Sequence, residues 1–136
     1  MRKILFRGKR ADNDEWVYGV AGYHKYREKW YVYDEELENY EVIPETIGQY
    51  TGLKDKNGEK VFEGDVLKRL LWSEKLFNEI GSGKYYEYYK VVWVENLGLW
   101  GFIVEGKDKF YLGQELYQIS KDYEVIGTIH DGDNND

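Results

Sequence analysis

Apolar residues along the chain recur mostly at every second position, in short runs closed by Gly, Asn, Asp or charged residues. That is the pattern of half-buried β-strands, not of amphipathic helices. Ile4 to Arg7 reads as a strand, followed by a polar turn at Asp12-Asn13-Asp14. From Trp16 to His24 the chain alternates, with Trp16, Tyr18 and Val20 on one face and Val17, Gly19 and Ala21 on the other. The small residues there allow close packing, and Gly19 and Gly22 are candidate bends. Lys25 to Lys29 forms the next turn, Trp30 to Tyr33 the next strand, and Asp34 to Glu38 an acidic loop or single helical turn. Pro44 biases Ile43 away from the α region, so Ile43 to Tyr50 is predicted extended.

The second half repeats the theme. Asn57-Gly58 predicts a type I′ hairpin. Val61-Phe62, the turn Glu63-Gly64-Asp65 and a strand from Val66 to Trp72 follow. Ser73 is placed to cap a short helix through Ile80, with Leu76, Phe77 and Ile80 on one face and Gly81 ending it. Tyr85 to Glu95 is a long strand, with Tyr85, Tyr89, Val91 and Trp93 set against Tyr86, Tyr88, Val92 and Val94. A strand apolar on both sides is either central to a sheet or pressed against a partner. Leu99 to Val104 and Glu124 to His130 are further strands, while Leu112 to Ile119 fits a helical turn as well as a strand.

Turns at intervals of roughly 8–12 residues between many short strands mean a small barrel or sandwich. The expected fold is mainly β. An N-terminal β subdomain occupies residues 1–50 and is the candidate for self-association. An SH3-like β-barrel occupies residues 51–130, with at most one or two short helices, and residues 131–136 form a disordered acidic tail. The 136 residues lack cysteine, which excludes disulfides, thiolate metal sites and cysteine nucleophiles. No apolar run approaches the roughly 20 residues of a membrane helix, and no signal peptide is recognisable, so no membrane is expected and the predicted address is the cytoplasm. The net charge of −7 argues against a dedicated duplex-DNA binder.

Candidate chemistry is sparse. His24 and His130 are the two histidines, and no H-x-x-x-H spacing occurs. Ser73, Ser82 and Ser120 lack a nucleophile elbow. Gly81-Ser82-Gly83-Lys84 lacks phosphate-loop spacing, and the acidic run from Asp131 to Asp136 stops before the bidentate Glu that a calcium loop needs. Asp65, after Gly64, reads as a turn residue bonding nearby backbone N–H groups in preference to a catalytic acid. No cofactor, no metal and no enzymatic activity are expected.

Three blocks carry a resemblance. They are Met1 to Arg10 with Glu15-Trp16-Val17-Tyr18-Gly19; Thr46-Ile47-Gly48-Gln49-Tyr50-Thr51-Gly52-Leu53-Lys54-Asp55-Lys56-Asn57-Gly58 continuing through Val61-Phe62-Glu63-Gly64-Asp65-Val66; and Glu124 to His130. In order and spacing they resemble the YopX family of bacteriophage and prophage proteins. The resemblance implies a phage-derived, mostly β cytosolic protein with an N-terminal association region and an SH3-like barrel. It implies no catalytic residue.

Surfaces therefore carry the functional expectation. Tyr (14) and Trp (5) dominate the aromatics, and these residues are enriched at interface centres. The first expectation is a non-enzymatic module that binds an unidentified host or phage protein and itself, with Trp30, Tyr85, Tyr86, Tyr88 and Tyr89 as anchors. The alternative is a single-stranded nucleic-acid binder, disfavoured by the net charge, that uses the basic residues Arg2, Lys3, Arg7, Lys9 and Arg10 with exposed aromatics.

Overall fold

The computed structural model describes residues 4–107, 109–112 and 122–131. The chain divides into two compact units, Met1–Gly52 and Leu53–Asp136. The boundary predicted from sequence, residue 50, lies two residues earlier.

The first unit is an antiparallel sheet of β1 (Phe6–Lys9), β2 (Trp16–His24), β3 (Lys29–Tyr33), β4 (Asn39–Glu41) and β5 (Gly48–Lys54), ordered β4-β3-β2-β1-β5, with the last two residues of β5 counted in the second unit. Strand β2 keeps the span its alternation predicts. It pairs Phe6 with Gly19 on one side and Val20 with Tyr33 on the other. Gly19 sits where strands crowd: a Cβ there would come within 1.9 Å of the Tyr33 carbonyl oxygen. The segment after Pro44 departs from expectation. Pro44–Thr46 is a 3-10 turn and not extended chain, because Pro occupies its first position, where no N–H is needed. Ile43 before it is extended, as a residue preceding Pro should be. Asp34–Glu38 is a loop in which the Asp34 carboxylate accepts from the N–H of Glu36 and Glu38.

The second unit holds β6 (Lys60–Phe62) and a five-stranded antiparallel sheet. Its strands are β7 (Asp65–Trp72), β8 (Lys84–Val94), β9 (Leu99–Val104), β10 (Phe110–Leu112) and β11 (Tyr123–Thr128), in the order β10-β9-β8-β7-β11. Helix α1 (Glu74–Ile80) connects β7 to β8, capped as predicted by Ser73 Oγ accepting from Leu76 N at 3.2 Å and closed by Gly81 in the left-handed region. The core is one cluster of Val61, Leu67, Tyr89, Val91, Phe102, Val104 and Tyr123. Burying each large side chain contributes about 1.5–3 kcal/mol.

Two acids organise this unit's turns. Asp65, fully buried, accepts from Phe62 N at 2.8 Å, which is the turn role read for it from sequence. Asp55 accepts from Asn57 N and Glu59 N, each at 2.9 Å, and from Val125 N at 2.9 Å across the fold. These bonds displace the expected type I′ turn. Only Gly58 of the Asn57-Gly58 pair has positive φ, whereas type I′ requires it at both residues. Residues 113–119, ambiguous in sequence, and 132–136 of the acidic tail lie outside the described residues.

Candidate functional site: the outer face of β7 and β8

Strand register decides which aromatics face solvent. Leu67 pairs with Tyr89, Lys68 with Tyr88, Leu70 with Tyr86, and Trp72 with Lys84. Because Leu67 and Tyr89 are in the core, the period of two sends Lys68, Leu70, Trp72, Lys84, Tyr86, Tyr88 and Lys90 to the opposite, outer face. Trp72 is 60% exposed, Tyr86 51% and Tyr88 37%. Leu70 on the same face and Phe77 and Ile80 of α1 are also exposed. Phe77 packs on Trp72 with ring centroids 5.5 Å apart, and Lys68 Nζ lies 4.2 Å from the centroid of the Tyr86 ring.

The expected anchor set therefore splits. Tyr86 and Tyr88 share this outer face. Tyr89 does not: it is fully buried, because it is the register partner of Leu67 at the centre of the sheet. Tyr85 is half-buried on the same inner side as Tyr89. Trp30 belongs to the first unit, where it stands opposite Tyr23 with centroids 5.4 Å apart.

The basic N-terminal set is also corrected. Arg7 and Lys9 are 5% and 8% exposed, with the Arg7 guanidinium 4.3 Å and Lys9 Nζ 5.6 Å from the Trp16 ring centroid. Alternation around Gly8 turns both side chains to one covered face, so they do not present an open cationic surface. Arg10 is engaged by Asp12, with Nε to Oδ1 at 2.9 Å and Nη2 to Oδ2 at 2.7 Å. That bond raises the arginine pKa and lowers the aspartate's. Arg2 and Lys3 lie outside the described residues.

Glu87 is absent from the residues predicted from sequence, and it is the one charged residue on the inner side of β8. It is 5% exposed and accepts from Tyr89 Oη at 2.7 Å, and Lys107 Nζ and Lys109 Nζ lie 3.3 and 3.4 Å from its Oε2. Burial pushes its pKa up, but these donors outweigh burial and hold the carboxyl below its ordinary value. Burial first, and then the bond to Glu87, push Tyr89 far up. Burial likewise pushes Tyr123, the register partner of Arg69, up to about 12. The signal that was available was a lone acid breaking an otherwise aromatic and aliphatic strand face. Lys107 and Lys109 stand half-exposed around it, so the cluster ties the β9–β10 hairpin to β8. Among the described residues, no three His, Asp or Glu side chains gather as metal ligands, and no helix is long and apolar enough to cross a membrane.

Residues 5–134 match the profile of the family described as YopX protein. The chain belongs to the YopX family. The match covers nearly all of this YopX member and joins the three sequence blocks into one continuous relationship. No curated protein matches it.

Proposed function

We propose that this YopX member is a non-enzymatic protein-interaction module, derived from a phage and working in the cytoplasm of its bacterial host. The observation that carries the reading is the exposed aromatic face built from Trp72, Tyr86 and Tyr88, flanked by Leu70 and Phe77. Contiguous exposed aromatics of this kind mark interaction sites more often than they decorate monomers. The second unit is an SH3-like barrel in this proposal. What supports it is the order β10-β9-β8-β7-β11, in which the last strand returns beside the first of a four-strand meander. Self-association belongs to the same proposal, assigned to the first unit through the family resemblance.

The test is capture of the full-length tagged protein from bacterial lysate, with and without nuclease, beside a Tyr86→Ala/Tyr88→Ala variant. The expected result is a stoichiometric protein partner that survives nuclease and is lost with the variant, whose melting curve stays unchanged. A ligand released by nuclease, or a partner held equally by the variant, contradicts the proposal.

A further inference from the structure

Every charged residue that β7 and β8 direct to the outer face is a lysine: Lys68, Lys84 and Lys90. This stands out in a chain with 26 acidic and 19 basic residues. Either sign of charge keeps a sheet face hydrated, so hydration alone does not select lysine. Of the neighbouring strands, β11 brings Glu124 into register with Lys68, and Glu105, whose N–H donates to the Tyr88 carbonyl at 2.8 Å, lines a cavity with Lys90, so the three lysines outnumber the two acids beside them and Lys84 has no acid in register. Lys84 pairs with Trp72, and Lys90 stands between Val66 and Ile103. The face thus combines apolar aromatic ground with cations at both ends of the Tyr86–Tyr88 pair.

We propose that this face takes an acidic segment of a partner protein, one that places aliphatic or aromatic side chains among Trp72, Tyr86 and Tyr88 and sets carboxylates against Lys84 and Lys90. The inference rests on the interaction-module reading and names the chemistry of its partner. Single-stranded nucleic acid is also anionic, but it binds by stacking bases on open ring faces. Here Lys68 Nζ covers a face of Tyr86, and Phe77 lies against Trp72 with 35° between the ring planes. Leu70, Ile80 and Ile103, all exposed, add aliphatic relief that suits side chains better than flat bases.

The experiment is selection of a random peptide library on the full-length protein, followed by titration of the selected synthetic peptides and of oligothymidylate. Enriched peptides are expected to carry Asp or Glu flanking Leu, Ile, Phe or Trp. Lys84→Glu/Lys90→Glu should weaken them by about tenfold or more, since each reversal replaces attraction by repulsion at an exposed site. Tyr86→Ala/Tyr88→Ala should weaken them at least as much, and both variants should melt with wild type. Neutral or basic peptides that need Tyr86 and Tyr88 but ignore the lysine reversal overturn the acidic-partner inference and leave the interaction face standing. Selection without any peptide that depends on Tyr86 and Tyr88 overturns both. Oligothymidylate binding that is lost on lysine reversal, without acidic peptides, assigns the face to nucleic acid and overturns the inference as well.

Discussion

Asp55 joins two places distant in sequence, and its replacement by asparagine has a magnitude that follows from three distances. The carboxylate is 6% exposed and receives Asn57 N, Glu59 N and Val125 N, each at 2.9 Å. In Asp55→Asn the amide keeps one acceptor. If that oxygen serves the two hairpin N–H groups, the new NH2 faces the Val125 N–H, donor against donor. One charge-assisted bond is lost outright, about 1.5–3 kcal/mol, and the two that remain weaken to neutral ones. A total of about 2–4 kcal/mol is a large part of the roughly 5–15 kcal/mol of a typical domain. At about 4 °C per kcal/mol for a chain of this size, the melting temperature should fall by about 8–15 °C. Circular dichroism measures the shift, and amide exchange at Val125, faster in the variant, assigns it. A shift under about 2 °C, a small fraction of that expectation, or unchanged exchange at Val125, refutes the claim that Asp55 ties the hairpin to β11.

Other consequences are as direct. Glu87 has a folded-state pKa below its ordinary value, so its stabilisation is present above the unfolded value of about 4.3 and is lost as pH falls through the lower folded pKa. Melting curves of wild type should therefore drop across that window, and Glu87→Gln should remove that part of the pH dependence. Gly19→Ala puts a Cβ within 1.9 Å of the Tyr33 oxygen and should break the β2–β3 pairing, destabilising by about 2 kcal/mol or more; a melting temperature equal to wild type refutes the contact. Ser73→Ala removes the cap of a seven-residue helix and should cost about 1 kcal/mol, seen as faster amide exchange at Leu76 with β7 and β8 unaffected.

What the sequence made legible was local. Period-two alternation delimits β2, and Ser73 with Gly81 delimits α1, because strand faces and helix ends are set by immediate neighbours. Gly64-Asp65 announces its turn for the same reason. The Tyr85–Tyr89 run was legible as a strand but not as inside and outside, since both faces are aromatic and only the pairing of Leu67 with Tyr89 decides. Arg7 and Lys9 read as surface cations because charge usually marks exposure. Their cover by Trp16 depends on β1 lying beside β2. The bond from Val125 to Asp55 spans 70 residues, and the gathering of Lys107 and Lys109 on Glu87 likewise depends on tertiary closure, beyond any local rule.

We propose the β7–β8 outer face as the place where this YopX member meets its partner. Hydroxyl-radical footprinting of the full-length protein, free and in its captured complex, tests it most directly. Trp72, Tyr86 and Tyr88 are exposed, as are Tyr18, Tyr23, Tyr26 and Trp93 elsewhere. The expected result is that the partner protects Trp72, Tyr86 and Tyr88 from oxidation while Tyr18, Tyr23, Tyr26 and Trp93 react as in the free protein. Protection of Tyr18, Tyr23 or Trp93, with Trp72 and Tyr86 still oxidised at the free rate, contradicts it.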